Sequence, residues 1–213
     1  MEWLASFTDL VLHLDKHLVF FVQQYGDWVY ALLFAIIFTE TGVVVAPFLP
    51  GDSLLFVAGA LCVTEGMNLP VLMVLLVVAA ILGDAVNYSI GHWFGEALIK
   101  RTRLISAEKL KYTEQFFEKH GPKTIVIARF LPIVRTMAPF VAGFGGMKPQ
   151  RFFMYNVTGG LLWVVSLTLA GYLFGNIPFI KNNLTAVILV IIFVSILPGI
   201  IAVLKARAAG SKN

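Results

Sequence analysis

A single cysteine, Cys62, stands in a chain of 213 residues, so no intramolecular disulfide can staple it. Cys62 sits in an apolar run and reads as a small buried hydrophobe with no role of its own. Charge is equally scarce, at 13% of residues against 59% hydrophobic. With a mean hydropathy of +0.86, the chain has more apolar surface than a soluble domain of this size buries, and lipid is its expected solvent. The opening Met1-Glu2-Trp3 lacks the basic region of a cleavable signal, which predicts a chain retained in a plasma-type membrane. His92 and His120 have no second histidine or cysteine three or four residues on, so no metal site is predicted, and no cofactor.

The net charge of +4 is unevenly spread. Lys100, Arg101, Arg103, Lys109, Lys111, Lys119 and Lys123 crowd one stretch, and Lys205, Arg207 and Lys212 end the chain. By the positive-inside rule both stretches face the cytoplasm, so the basic balance reports orientation and contact with anionic headgroups rather than nucleic acid.

Hydropathy divides the rest. Residues 1–27 form an amphipathic helix, with Trp3, Leu4, Phe7, Leu10, Val11, Leu14, Leu18 and Phe21 on one stripe. Asp9, Asp15 and Lys16 favour a helix lying in the interface over one that spans. A membrane domain follows over 28–204, then a basic tail, 205–213. In that domain, residues 28–63 are two half-length apolar pieces separated by Thr39, Glu40, Thr41, Gly42, Pro47, Pro50, Gly51 and Asp52. Each piece is too short to cross a membrane, which needs roughly 20 residues, so the pair predicts a re-entrant hairpin. Residues 69–98 predict a spanning helix, 107–119 a cytoplasmic helix, and 124–147, broken at Pro132 and Pro139, a second re-entrant hairpin. Residues 152–175 and 184–204 predict two more spans.

The chain also resembles itself. Phe56-Val57-Ala58-Gly59 recurs as Phe140-Val141-Ala142-Gly143, each near an Ala-Pro element, Ala46-Pro47 and Ala138-Pro139. Gly91-His92-Trp93-Phe94-Gly95 recurs as Gly171-Tyr172-Leu173-Phe174-Gly175. Each half therefore reads as a hairpin followed by one spanning helix with a G-x-x-x-G face. A hairpin returns to its own side and one helix crosses, so the second copy enters from the opposite side. The predicted fold is an all-α membrane protein built on an inverted repeat, with the N-terminal amphipathic helix and a C-terminal transmembrane helix added. Such repeats place a binding site near the midplane, where the broken segments meet.

The charges in these segments are the candidate site. A buried Arg, Asp or Glu costs on the order of 2.5–3.5 kcal/mol at the centre of an isolated span, so such groups persist when they meet one another, water or a ligand. Arg129 and Arg135 would lie on opposite faces of a continuous helix, but the break at Pro132 lets them converge. Guanidinium groups stay charged and pair bidentately with phosphate oxygens, which makes these two the candidate phosphate-binding residues. Alternatively, Glu40 and Asp52 neutralise them as buried salt bridges, and both states can hold in turn. Glu40 and Asp52 are also the candidate coupling residues, since a buried carboxylate can exchange a proton in the physiological range; sodium coupling is an equal chemical possibility. Asp84 and Asn87, near the basic stretch, are secondary candidates that more often serve helix packing or an interface.

The segments ARFLPIVRTMAPFVAGFGGM (128–147), FTETGVVVAPFLPGDSLLFVAGAL (38–61) and GDAVNYSIGHWFG (83–95) closely resemble the DedA family along nearly the whole chain. The resemblance implies a bacterial inner-membrane protein with two opposed re-entrant hairpins, related to eukaryotic phospholipid scramblases of the same domain superfamily. Some members are implicated in returning undecaprenyl phosphate to the cytoplasmic leaflet. The family's acidic pair falls on Glu40 and Asp52 and its arginine pair on Arg129 and Arg135. The expected activity is thus transport of a polyprenyl phosphate or phospholipid, driven by protons or sodium, and not an enzymatic reaction. A proton-coupled exporter of small cations or drugs, with Glu40 and Asp52 as ligands, is the alternative. A lipid phosphatase would commonly use a histidine nucleophile, and none lies in the arginine-bearing hairpin. A purely structural assembly factor would tolerate neutralisation of all four charges. The sequence leaves a homo-oligomer open.

Overall fold

Polar backbone cannot go unbonded in hydrocarbon, and among the described residues the chain meets that requirement with helices alone. The computed structural model describes residues 14–43, 51–101, 107–175 and 177–181, with 186, 187, 189–191 and 193 beyond them. The first half of the predicted amphipathic helix, the tip of the first hairpin with Pro47 and Pro50, most of the predicted last span and the basic tail lie outside these residues.

The elements run α1 (Leu14–Tyr25), α2 (Trp28–Gly42), α3 (Gly51–Thr64), α4 (Leu69–Arg101), α5 (Ala107–His120), α6 (Thr124–Ala128), α7 (Pro132–Phe144), α8 (Pro149–Phe174) and α9 (Pro178–Lys181), with a 3₁₀ turn at Gly121–Lys123. Gly26, at a φ of 54°, makes the turn from α1 into α2. Among the described residues, two helices, over Leu69–Gly95 and Pro149–Phe174, are long and apolar enough to cross a membrane. Pro70 and Pro149 stand in the first turns of these helices, where a missing N–H costs no hydrogen bond.

α4 is inside-out relative to a soluble helix. Val71, Val74, Val78, Leu82 and Val86 form an exposed apolar stripe at helical spacing. The opposite side buries Leu72, Leu76, Ala79, Ala80, Asp84, Asn87 and Tyr88. α8 does the same, with Phe153, Met154, Leu161 and Leu162 outward and Asn156, Trp163 and Thr168 buried. Apolar outside and polar inside is the arrangement that lipid favours. Hydroxyls on these helices bond back to their own backbone, as Ser89 Oγ does to the Ala85 carbonyl at 2.8 Å and Thr158 Oγ1 to the Met154 carbonyl at 2.9 Å.

α2 begins beside the start of α4, where the Asn68 N–H donates to Tyr30 Oη at 2.7 Å. It ends beside Asn87, whose Nδ2 donates to the Thr41 carbonyl at 3.2 Å. α6 and α7 approach from the other end of α4: the Tyr88 hydroxyl donates to the Met147 carbonyl, while Asn87 Nδ2 also donates to the Thr136 carbonyl at 3.0 Å. The two helix pairs α2–α3 and α6–α7 thus open toward opposite ends of α4. Their broken ends meet near its middle.

The repeated sequence motifs are the packing surfaces of this arrangement, and they pack crosswise. α3 of the first half lies on α8 of the second, and α7 of the second half lies on α4 of the first. A Cβ on Gly59 would come within 2.0 Å of the Thr168 carbonyl oxygen, and one on its counterpart Gly143 within 2.0 Å of the Tyr88 carbonyl oxygen. The partner glycines reciprocate, Gly171 against Phe56 and Gly91 against Phe140. Each FVAG element therefore interlocks with the G-x-x-x-G element of the other half at backbone contact.

Candidate functional site

Between two apolar clusters lies a layer of buried charge. One cluster gathers Leu33, Ile37, Leu55, Leu72 and Leu76, and the other gathers Tyr88, Ile125, Val134, Ala138 and Phe152. The layer takes Glu40 from the last turn of α2, Asp52 from the first turn of α3, Asp84 from the middle of α4, Arg129 from the end of α6, Arg135 from α7, and Asn156 and Trp163 from α8.

The two arginines reach the layer because their helix breaks. α6 ends at Ala128, Leu131 is extended at φ −125° and ψ 101°, and Pro132 opens α7. A continuous helix would have turned the guanidinium groups apart.

Arg135 holds both predicted carboxylates at once. Its Nη1 donates to Asp52 Oδ1 at 2.8 Å and its Nη2 to Glu40 Oε1. Gly51 leaves room for this pairing, since a Cβ there would fall 1.9 Å from Glu40 Oε2. Asp52 Oδ1 also accepts from the Trp163 indole N–H at 2.8 Å.

Arg129 pairs elsewhere. Its Nη2 meets Asp84 Oδ2 at 2.6 Å, Asn156 Oδ1 at 2.6 Å and the Ala80 carbonyl at 3.3 Å. Asn156 Nδ2 in turn donates to the Ile81 carbonyl at 3.0 Å. Both guanidinium groups stand against one indole, Arg135 Cζ at 4.9 Å and Arg129 Cζ at 5.6 Å from the Trp163 ring centroid. A desolvated guanidinium over an aromatic face gains about 2 kcal/mol or more.

The two ion clusters differ in access. The side chains of Arg135 and Asp52 keep 10% and 18% of their surface, whereas Arg129 and Asp84 keep 1% and 4%. Arg135 is the more exposed of the two arginines.

Of the residues singled out in the sequence, Glu40, Asp52 and Arg135 come together as one cluster, while Arg129, against the same Trp163 ring, belongs to another. Arg129 takes its carboxylate from Asp84 and not from Glu40 or Asp52. Asp84 and Asn87 stand in the middle of α4 and are buried, so the interfacial reading of them gives way. Asn87 bridges the end of α2 to α7 through its two carbonyl contacts. His92 stacks on Tyr88, and His120 lies against Phe116. Cys62 is buried, with its thiol on the Ala58 carbonyl at 3.4 Å. Among the described residues, no group of three or more His, Cys, Asp or Glu side chains is placed to hold a metal ion.

Sequence reasoning missed Asn156 and Trp163. A lone amide within a spanning segment is a signal that could have found Asn156. Trp163 has no such mark, because an indole in an apolar helix looks like core.

A VTT domain model matches residues 49–173. The chain is 53% identical over 216 aligned positions to Protein DedA of Escherichia coli K12, covering 100% of this chain and 99% of that one. An uncharacterized membrane protein of Mycobacterium leprae is 42% identical over 189 positions, 86% of this chain and 85% of its own. The inner membrane protein YqjA of Escherichia coli K12 is 41% identical over 155, 71% and 70% respectively. No solved structure matches.

Proposed function

The chain belongs to the DedA family of VTT-domain membrane proteins, and from that premise we propose that it moves a phosphate-bearing lipid between leaflets rather than catalysing a reaction. The observation that carries this reading is the pair of guanidinium groups that stand over the ring of one buried indole, mid-way along α4 and α8. Carboxylates occupy both arginines. A phosphate presents the same paired oxygens and can take their place while its lipid chain stays in the bilayer. Undecaprenyl phosphate, or a related phospholipid, is the proposed cargo.

In this reading the pairs α2–α3 and α6–α7 are re-entrant hairpins from opposite faces of a bacterial inner membrane. The basic stretch 100–123 and the C-terminus face the cytoplasm. Glu40 and Asp52 couple transport to the proton or sodium gradient, since neutralising either carboxylate frees one nitrogen of Arg135 for the cargo. The exporter alternative needs Glu40 and Asp52 as ligands for a cation, and Arg135 already holds both.

Leaflet exchange of a fluorescent polyprenyl phosphate in proteoliposomes tests the proposal. Wild type should accelerate exchange, and Arg135→Ala should abolish the acceleration. Exchange no faster than in protein-free liposomes sinks the reading, as does a variant lacking both arginines that works like wild type. Cation export that survives loss of the arginines but not of Glu40 would favour the alternative.

A further inference from the structure

Arg129 carries five N–H donors, and the structure engages only one of its nitrogens. Nη2 meets Asp84, Asn156 and the Ala80 carbonyl. Nη1 and Nε are out of solvent and meet no acceptor among the described residues, and Asp84 Oδ1 is likewise unpartnered. Buried donors left without partners are costly, so a guanidinium held this way has capacity for an incoming acceptor.

The three acceptors on Nη2 are not equivalent. The Ala80 carbonyl is backbone, and Asn156 is tied across to α4 by its own donation to the Ile81 carbonyl at 3.0 Å. Both are neutral and fixed. Asp84 alone is ionisable, and it alone competes with an anion for the charge of Arg129. We infer that Asp84 is the resident counter-anion of Arg129, exchanged for the phosphate of the cargo while Asn156 and the Ala80 carbonyl hold the guanidinium in place.

This rests on the transport reading above and deepens it. Phosphate arrives on Nη1 and Nε, Asp84 gives way on Nη2, and the return of Asp84 drives the phosphate off. Asp84 and Asn156 are positioning residues that set release. The pairing of Arg135 with Glu40 and Asp52 supplies the same exchange at the more exposed cluster.

The test uses the full chain in lipid nanodiscs for binding of a polyprenyl phosphate and in liposomes for its leaflet exchange. Asp84→Asn keeps the shape and an acceptor oxygen but removes the charge. The expected result is binding tightened by about tenfold, the scale of a typical coupling free energy, together with slower turnover. A packing role for Asp84 would instead lower thermal stability, binding and turnover together. Asn156→Asp adds a second anion on Nη2 and should weaken binding. The double variant Asp84→Asn/Asn156→Asp moves the charge from one acceptor to the other and should return binding toward wild type. Unchanged or weaker binding in folded Asp84→Asn overturns the inference. Should that variant not fold, Asn156→Asp with wild-type affinity overturns it as well. If wild type does not bind the lipid, the transport reading falls and takes this one with it; if wild type binds and Asp84→Asn does not tighten, only this one falls.

Discussion

Trp163 and Asp52, separated by 111 positions in the chain, are joined by an indole N–H that donates to Asp52 Oδ1 at 2.8 Å. The same oxygen accepts from Arg135 Nη1 at 2.8 Å. One carboxylate oxygen therefore ties α3, α7 and α8 together, one element from the first half and two from the second. The face of the same indole carries both arginines. Trp163 thus acts on the acidic side of the site through its edge and on the basic side through its ring.

Those two contacts can be separated by substitution. Trp163→Phe keeps a ring beside the guanidinium groups and loses the hydrogen bond, at an expected cost of about 1 kcal/mol. Trp163→Leu loses both, with a further cost of about 2 kcal/mol from the cation–π contacts. Thermal unfolding of the purified variants in detergent should rank wild type above Phe and Phe above Leu. Equal melting of the two variants would show that the ring contacts contribute nothing.

Arg135 neutralises two carboxylates, so its removal does more than delete a ligand. Arg135→Ala leaves Glu40 and Asp52 facing each other without a cation, and uncompensated buried charge of this kind costs about 3–5 kcal/mol. The triple variant Arg135→Ala/Glu40→Gln/Asp52→Asn removes that repulsion and should recover most of the lost stability. It should not recover lipid exchange. A triple variant as unstable as Arg135→Ala would mean that the arginine holds the helices by packing rather than by charge.

Much of this site was legible because charges in apolar segments are rare and each one needs a reason. Glu40, Asp52, Arg129 and Arg135 stood out on that ground, and Pro132 announced the break that lets the arginines converge. Their pairing was not legible. Arg129 meets Asp84 because α4 and α8 cross where Asn156 bonds the Ile81 carbonyl, and that crossing is a tertiary fact with no local pattern. The repeats were visible as similar strings. That each string packs on the opposite half was not, since self-similarity gives the units and not their contacts.

The crosswise interlock makes a paired prediction. Gly59→Val and Gly143→Val each drive a side chain into a backbone carbonyl 2.0 Å from the would-be Cβ, and backbone cannot move aside as a flexible side chain would. Overpacking costs about 1–3 kcal/mol at ordinary core sites, and these sites should lie at or above the top of that range. The control is Gly66, which has a φ of 72° and nothing within 4 Å of a would-be Cβ. Gly66→Ala should cost only the roughly 1–2 kcal/mol of a left-handed conformation. Size-exclusion profiles after mild heating should show both valine variants aggregating and the Gly66 variant intact. One valine variant behaving like wild type while the other fails would break the equivalence of the two halves.

Asn87 separates hydrogen bonding from shape. Its Nδ2 donates to the carbonyls of Thr41 and Thr136, at 3.2 and 3.0 Å, and Thr41 lies in the last turn of α2, where carbonyls lack helical partners. Asn87→Ala removes both donations and should cost about 1 kcal/mol, the usual scale for interhelical hydrogen bonds in a membrane. Asn87→Asp is nearly the same size, yet it sets an acceptor-only carboxylate against two carbonyl oxygens in a site with no exposure. It should therefore destabilise more than alanine does, although it conserves shape better. Melting temperatures of the two variants at neutral pH decide the matter. An aspartate variant more stable than the alanine variant would mean that Asn87 is held by its volume, and that the ends of the two helix pairs do not depend on its amide to stay together.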